Sequence, residues 1–193
     1  MRLFLNRKLR RVRAFLLDVD GVLTDSGLIY NSAGADGKIF SSQDGYGITR
    51  ARRAGFVFCI VTGRSSPLVD RRADDLGIRH VWQGVTDKRA LLPEILGRLQ
   101  LAADEVLFIG DDMPDREIML AVGVSACPRD ATREARRVAS YVARRAGGRG
   151  AVREVIDRVL LAQKLLRRDG SLAGRIAVSG QAGEENSNGG SYP

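Results

Sequence analysis

Two aspartates stand two residues apart at the end of an apolar run, in Asp18-Val-Asp20-Gly-Val-Leu-Thr24. On a strand of a parallel sheet that spacing sends both carboxylates out on the same side, at the carboxyl edge where open α/β sheets bind ligands. Leu16 and Leu17 mark the strand as buried, and neither acid has a basic partner nearby in sequence. Two like charges held so close demand a cation. More acids follow a later apolar run, in Gly110-Asp111-Asp112-Met-Pro-Asp115. Val61-Thr62-Gly63-Arg64 brings a hydroxyl and accessible backbone N–H groups to the same edge, a set that suits a phosphoryl oxygen. Lys88 opens the helix after the third strand. Hard oxygen ligands from Asp18 and Asp111 with a backbone carbonyl suit Mg²⁺. Asp20 joins that candidate metal set, and its carboxylate is also placed for proton transfer. Mg²⁺, Lys88 and Thr62 together would neutralise a phosphoryl group in transit from three sides. Asp112 and Asp115 stand as secondary metal candidates. Taken singly, each piece has a plainer reading: Thr62 or the later aspartates as helix caps, Lys88 as a solvated lysine.

The elements that must hold these residues alternate. Apolar runs at 14–19, 56–61, 80–82, 105–109 and 124–127 have the length of buried parallel strands. Segments of helical spacing at 44–54, 67–76, 87–99 and 114–121 separate them. This pattern predicts a doubly wound, Rossmann-like parallel α/β sheet. One piece interrupts it: 28–30 and 38–40 flank a glycine-rich turn over 31–37, which predicts a β-hairpin, a small flap at about 26–41. A last amphipathic helix over 151–166 carries Val152, Val155, Ile156, Val159 and Leu160 on one stripe, whose expected partner is its own sheet. The domain is expected over 14–168, after a basic extension at 1–13 and before a tail at 169–193 rich in Gly, Ser, Asn and Glu and expected to be disordered.

Composition narrows the partners. A chain of 193 residues is one domain with some length to spare. Its 31 basic against 23 acidic residues give +8, a balance that invites nucleic acid. With 6% aromatics and no interleaved basic and aromatic platform, that reading is the weaker one, and no nucleic-acid partner is expected. Cys59, Cys127 and His80 cannot supply four nitrogen or sulfur zinc ligands. No secretory leader and no run of 18 apolar residues is apparent, so the expected place is the cytoplasm, with no membrane partner.

The four pieces, in the order Asp18-x-Asp20-Gly, Thr62-Gly-Arg64, Lys88 and Gly110-Asp111-Asp112-x-x-Asp115, resemble the motifs of the haloacid dehalogenase-like phosphohydrolases across about residues 14–143. The resemblance implies that Asp18 attacks phosphorus while Asp20 protonates the leaving alcohol and later deprotonates water. A phospho-acceptor receiver domain also combines Asp, Thr, Lys and Mg²⁺, but in an order that places its acidic pair first and its Lys last.

About 40 residues separate Asp18 from Thr62 and about 25 separate Thr62 from Lys88, short of the roughly 50 that a cap domain takes. An open crevice then needs walls from the flap or from a second subunit. The string from Asp18 to Asp25, the hairpin ending Gly37-Lys-Ile-Phe40, Asp44-Gly-Tyr-Gly-Ile48 and Ala146-Gly-Gly-Arg-Gly-Ala-Val-Arg-Glu154 resemble the 3-deoxy-D-manno-octulosonate 8-phosphate (KDO 8-phosphate) phosphatases over roughly 14–164. That family implies a capless, Mg²⁺-dependent homotetramer of lipopolysaccharide sugar synthesis, with Asp44, Gly45, Arg64, Arg72 and Lys88 on the sugar acid. It also implies that 147–150 reaches toward a neighbouring subunit, with Arg149 as a gate. Planar guanidinium donors suit a substrate bearing both phosphate and carboxylate. On the residues alone, Arg72 also reads as a solvated helix residue, Asp44 as an N-cap and 147–150 as a flexible link. Gln43 and Thr49 stand where familiar members carry arginine, which leaves a nine-carbon nonulosonic acid phosphate beside the eight-carbon substrate.

Overall fold

The computed structural model describes residues 2–30, 36–167 and 169–176. Six parallel strands form one sheet in the order β5-β4-β1-β6-β7-β8: β1 (Ala14–Leu17), β4 (Val57–Val61), β5 (His80–Trp82), β6 (Val106–Ile109), β7 (Val124–Cys127) and β8 (Tyr141–Val142). Helices cover both faces, as the alternation predicts. β1 lies between β4 and β6 with all four residues buried, so alternate side chains enter two different cores. Phe15 and Leu17 join α1 (Arg2–Leu9), α2 (Ser42–Arg53), α3 (Pro67–Leu76) and α7 (Ala151–Ala162) on one face. Ala14 and Leu16 join α4 (Lys88–Leu99), α5 (Arg116–Ala121) and α6 (Arg133–Val138) on the other. On the first face Phe15 stacks on Phe58, with ring centroids 4.8 Å apart.

Helix starts follow local chemistry. Ser66 caps α3 ahead of Pro67 and Gly77 ends it at φ 64°, while Asp87 caps α4 by accepting from the Ala90 N–H. That last cap fixes Lys88 as the first residue of its helix.

Several elements depart from the sequence reading. The basic N-terminal stretch is a docked helix: Leu9 and Val12 are buried, and the Gln163 amide donates to the Leu9 and Val12 carbonyls from the end of α7. The start of the expected disordered tail is ordered, because Ala173 N–H donates to the Leu165 carbonyl and Ile176 N–H to that of Ala54, with Leu172 and Ile176 against the core. The remainder of that tail lies outside the described residues. The hairpin is present as β2 (Ile29–Tyr30) against β3 (Asp36–Gly37), with its second strand earlier than the predicted 38–40. The turn predicted for this hairpin lies largely outside the described residues. β8 and α6 have no counterpart in the prediction, being too short for periodicity to show.

Asp44 is only 1% exposed, and its carboxylate accepts from the backbone N–H groups of Gly150 and Arg153 at the start of α7. It therefore caps a helix more than a hundred residues further along the chain, while Ser41 caps its own helix. Asp44→Ala leaves two N–H groups at that buried helix start unpaired, an expected loss of about 1–3 kcal/mol in urea denaturation.

Candidate active site

All the acids of the sequence motifs leave the sheet at one edge. Asp18 extends the β1 ladder by one bond, its N–H donating to the Ile109 carbonyl, so β6 fixes its position directly. Its Oδ1 accepts from the Val19 N–H at 2.8 Å and meets Lys88 Nζ at 3.0 Å. Lys88 is 3% exposed and also donates to Asp115 Oδ1 at 2.6 Å, so it is no solvated lysine. The other Asp115 oxygen accepts from the Asp111 N–H. One cation thus joins the end of β1 to the loop after β6.

Asp18, Asp111 and Asp115 each place a carboxylate oxygen within 4.8 Å of the others. Burial and the neighbouring Asp115 charge push Asp18 up to about 6 despite Lys88. Burial, then the charges of Asp18, Asp115 and Asp112, pushes Asp111 up to about 8. Burial alone would lower Lys88, but the facing Asp18 and Asp115 hold it above its ordinary value. Asp111 Oδ1 is buried without a hydrogen-bond partner. An orphaned hard oxygen beside two further carboxylates fits a divalent cation such as Mg²⁺. Gly21 makes room for this arrangement: its φ is 83°, and a Cβ there would lie 2.0 Å from Asp111 Oδ2.

The other expected residues divide. Asp20 does not join the acidic cluster: its carboxylate turns to Lys38 Nζ at 2.5 Å and Arg64 Nε at 4.0 Å. Its side chain is therefore separate from the metal set predicted for it. Thr62 sits buried at the end of β4, its N–H bonded to the Trp82 carbonyl, with no hydrogen-bond partner for its hydroxyl among the described residues. Asp112 is exposed and caps the short turn 113–115 by accepting from the Met113 N–H, whereas Asp115 is buried within the cluster. Of the two secondary candidates, only Asp115 reaches the metal set. Arg64 stands at the rim, donating to the Tyr30 hydroxyl of the hairpin at 3.4 Å.

Three expected substrate contacts are occupied by the fold. Asp44 is committed to the start of α7. Arg72 donates to the Ser41 carbonyl and lies over the Phe40 ring, and its Nη2 fills the space a Cβ on Gly45 would take, 2.5 Å away. The segment 147–150 is neither a loose link nor detached from its own chain: a Cβ on Gly147 would lie 1.9 Å from the Gly21 carbonyl oxygen, and Gly148 N–H donates to Val22. Arg149 pairs with Asp25 at 3.2 Å on the surface. Gln43 lines a groove beside Tyr141 and Arg153, and Thr49 lines another beside Tyr46 and Arg53. The sequence reading left out Lys38, whose short separation from β3 gave no sign that its head group is buried.

A doubly wound sheet that gathers acids from the ends of β1 and β6 around the lysine opening α4 is that of a haloacid dehalogenase-like hydrolase, and the family model of that description matches residues 80–156. The Escherichia coli K12 protein named 3-deoxy-D-manno-octulosonate 8-phosphate phosphatase KdsC is 45% identical over 157 residues, covering 81% of this chain and 83% of that one. The Moraxella catarrhalis KDO 8-phosphate phosphatase, solved in complex with a magnesium ion, a phosphate ion and a KDO molecule, is 38% identical with a TM-score of 0.82. The match covers 85% of this chain and 94% of that one. The Yersinia pestis enzyme has the same TM-score at 40% identity, over 83% of this chain and 87% of that one. The chain belongs to the 3-deoxy-D-manno-octulosonate 8-phosphate phosphatase family.

Raised carboxylate pKa values have a signed consequence. From near 3.8, folded Asp18 up to about 6 and folded Asp111 up to about 8 retain protons that the unfolded chain has released. The metal-free fold is therefore expected to lose stability as pH rises through that window. Mg²⁺ should raise Tm more at pH 8 than at pH 6, and titration calorimetry in buffers of different ionisation enthalpy should record proton release on binding. Equal Tm gains with no proton release would contradict this electrostatic account.

Proposed function

We propose that the chain is a Mg²⁺-dependent phosphomonoesterase that hydrolyses KDO 8-phosphate to KDO and inorganic phosphate. The observation that carries this reading is the set of buried Asp18, Lys88 and Asp115 with half-buried Asp111, in a chain 45% identical to enzymes named for that reaction. Asp18, Asp111 and Asp115 would hold the ion, with the Asp20 carboxylate apart from them. Bound there, Mg²⁺ supplies positive charge to the phosphoryl oxygens and offsets the carboxylates around them.

The protein's own groups divide the chemistry. An Asp18 oxygen attacks phosphorus, the ester P–O bond breaks, and Asp20 gives its proton to the departing alcohol oxygen. Asp20, now a carboxylate, takes a proton from water as that water attacks the aspartyl-phosphate; the P–O bond to Asp18 breaks and phosphate leaves. Lys88 holds Asp18 in line and offsets charge on the phosphoryl group, and the Thr62 hydroxyl is free to donate to it. Arg64 at the rim is the guanidinium placed for the sugar carboxylate. Arg72 and Asp44 shape the wall rather than touch the substrate.

A homotetramer at work in the cytoplasm completes the reading. Leu28, Ile29, Tyr30 and Ile39 leave large apolar side chains exposed on and beside the hairpin, a surface suited to a second copy. No helix among the described residues is long and apolar enough to cross a membrane.

Asp18→Asn should lower turnover at least about 10⁴-fold, as loss of a nucleophile does. In a panel of sugar-acid phosphates and simple esters, kcat/KM should be highest for KDO 8-phosphate; comparable values throughout would remove the substrate assignment, and a nine-carbon optimum would reassign it. Ile29→Asp should shift the mass measured by light scattering from tetramer to smaller species.

A further inference from the structure

The hairpin carries one residue whose burial its position does not explain. Lys38 follows β3 directly, in a segment whose neighbour Ile39 is 61% exposed, yet its own side chain is only 2% exposed. A lysine head group at that depth needs an acid. Asp20 is its one salt-bridge partner among the described residues, with Nζ 2.5 Å from Oδ1. The second Asp20 oxygen is held differently. Oδ2 faces Arg64 Nε at 4.0 Å, and the Arg64 side chain is 53% exposed. One oxygen is fixed in a buried contact, and the other opens on the hydrated rim.

That asymmetry matters because Asp20 sits beyond the end of β1, where no sheet hydrogen bond restrains it. Left alone, its carboxylate would rotate among its rotamers and present either oxygen in any direction. An ammonium fixed on Oδ1 selects one orientation and leaves Oδ2 as the oxygen available to a reacting group. The hairpin reaches the same carboxylate a second way, through the Tyr30 hydroxyl on Arg64.

We propose that Lys38 is a positioning residue for the reaction: it fixes the Asp20 carboxylate so that Oδ2 delivers a proton to the leaving alcohol and later accepts one from water. This rests on the acid and base role given to Asp20 above. Lys38 keeps all three of its protons throughout; the proton passes from Asp20 Oδ2 to the alcohol oxygen as the ester P–O bond breaks, and from water to Oδ2 as the aspartyl-phosphate is hydrolysed. Lys38 touches neither substrate nor phosphorus. Its importance must therefore scale with how badly the leaving group needs a proton. The alkoxide of a sugar phosphate cannot depart unprotonated, whereas p-nitrophenolate can.

The test measures first-turnover alcohol release by rapid quench, with saturating Mg²⁺, from KDO 8-phosphate and from p-nitrophenyl phosphate. Lys38→Met, which leaves the acid itself in place, is expected to slow release from the sugar phosphate about 10- to 100-fold, no more than the lower end of what general acid catalysis contributes, and release from the aryl ester less than about threefold. Its KM should stay near that of the unchanged protein, and Lys38→Arg should restore most of the rate. Lys38→Gln makes the same comparison if Lys38→Met does not fold. Asp20→Asn serves as the control and should show the same leaving-group dependence more strongly. If Asp20→Asn discriminates between the substrates while the Lys38 variants slow both equally or neither, the positioning role is overturned. If Asp20→Asn itself fails to discriminate, the acid role of Asp20 falls and the role of Lys38 falls with it.

Discussion

A single buried ammonium, on Lys88, holds together two acidic parts of the chain that would otherwise repel one another. It lies 3.0 Å from Asp18 and 2.6 Å from Asp115, and Asp111 adds a third carboxylate nearby. One positive charge cannot balance three negative ones in a site this dry, so the arrangement is stable only with some carboxylates protonated or a second cation present. The rest of the fold serves this deficit. β1 and β6 are adjacent so that their ends deliver acids to one point, and the Asp87 cap starts α4 where its first residue can reach both. Function here is the continuation of an electrostatic problem that the fold leaves partly unsolved.

What could be read from the sequence was whatever had a local physical cause. Buried strands appear as short apolar runs, caps as Ser or Asp ahead of helical spacing, and the catalytic edge as acids following strands. Lys88 could be placed on its helix for the same reason. What could not be read depended on contacts between distant residues. Asp44 looks like an ordinary first-turn acid, and only the folded chain brings the N–H groups of Gly150 and Arg153 to it. Arg72 has the profile of a solvated helix residue until the missing side chain of Gly45 is seen to give it a seat. Lys38 sits in a glycine-rich, polar stretch where nothing announces burial. The docked N-terminal helix was hidden because its stretch is dominated by charge, while the few apolar residues Leu5, Leu9 and Val12 anchor it.

The arginines that dominate the basic excess are also put to structural use. Arg50 is 7% exposed and pairs with Asp157 of α7 while donating to the Gly170 carbonyl, tying α2 to the last helix and to the segment beyond it. Arg153 and Arg50 both lie over the Tyr46 ring, and Arg158 lies over Tyr141. Guanidinium groups stack and fork in ways that lysine cannot, which accounts for arginine being chosen between helices. A few of the arginines behind the charge that invited a nucleic-acid reading thus join helices within the scaffold, while most of the others among the described residues lie exposed.

The contact between Gly147 and the Gly21 carbonyl, together with the Asp44 clasp on α7, places a late segment of the chain directly on the loop that follows the first strand. β1 itself lacks its second neighbour until β6 has been made. During synthesis, therefore, the stretch bearing Asp18 leaves the ribosome well before the late segment that packs beside it. The loop after that strand gains its contacts with 147–150 only when the start of the last helix has emerged. A nascent chain stalled before that helix would hold every motif aspartate while the loop carrying Asp20 and Gly21 still lacked the late segment that packs on it.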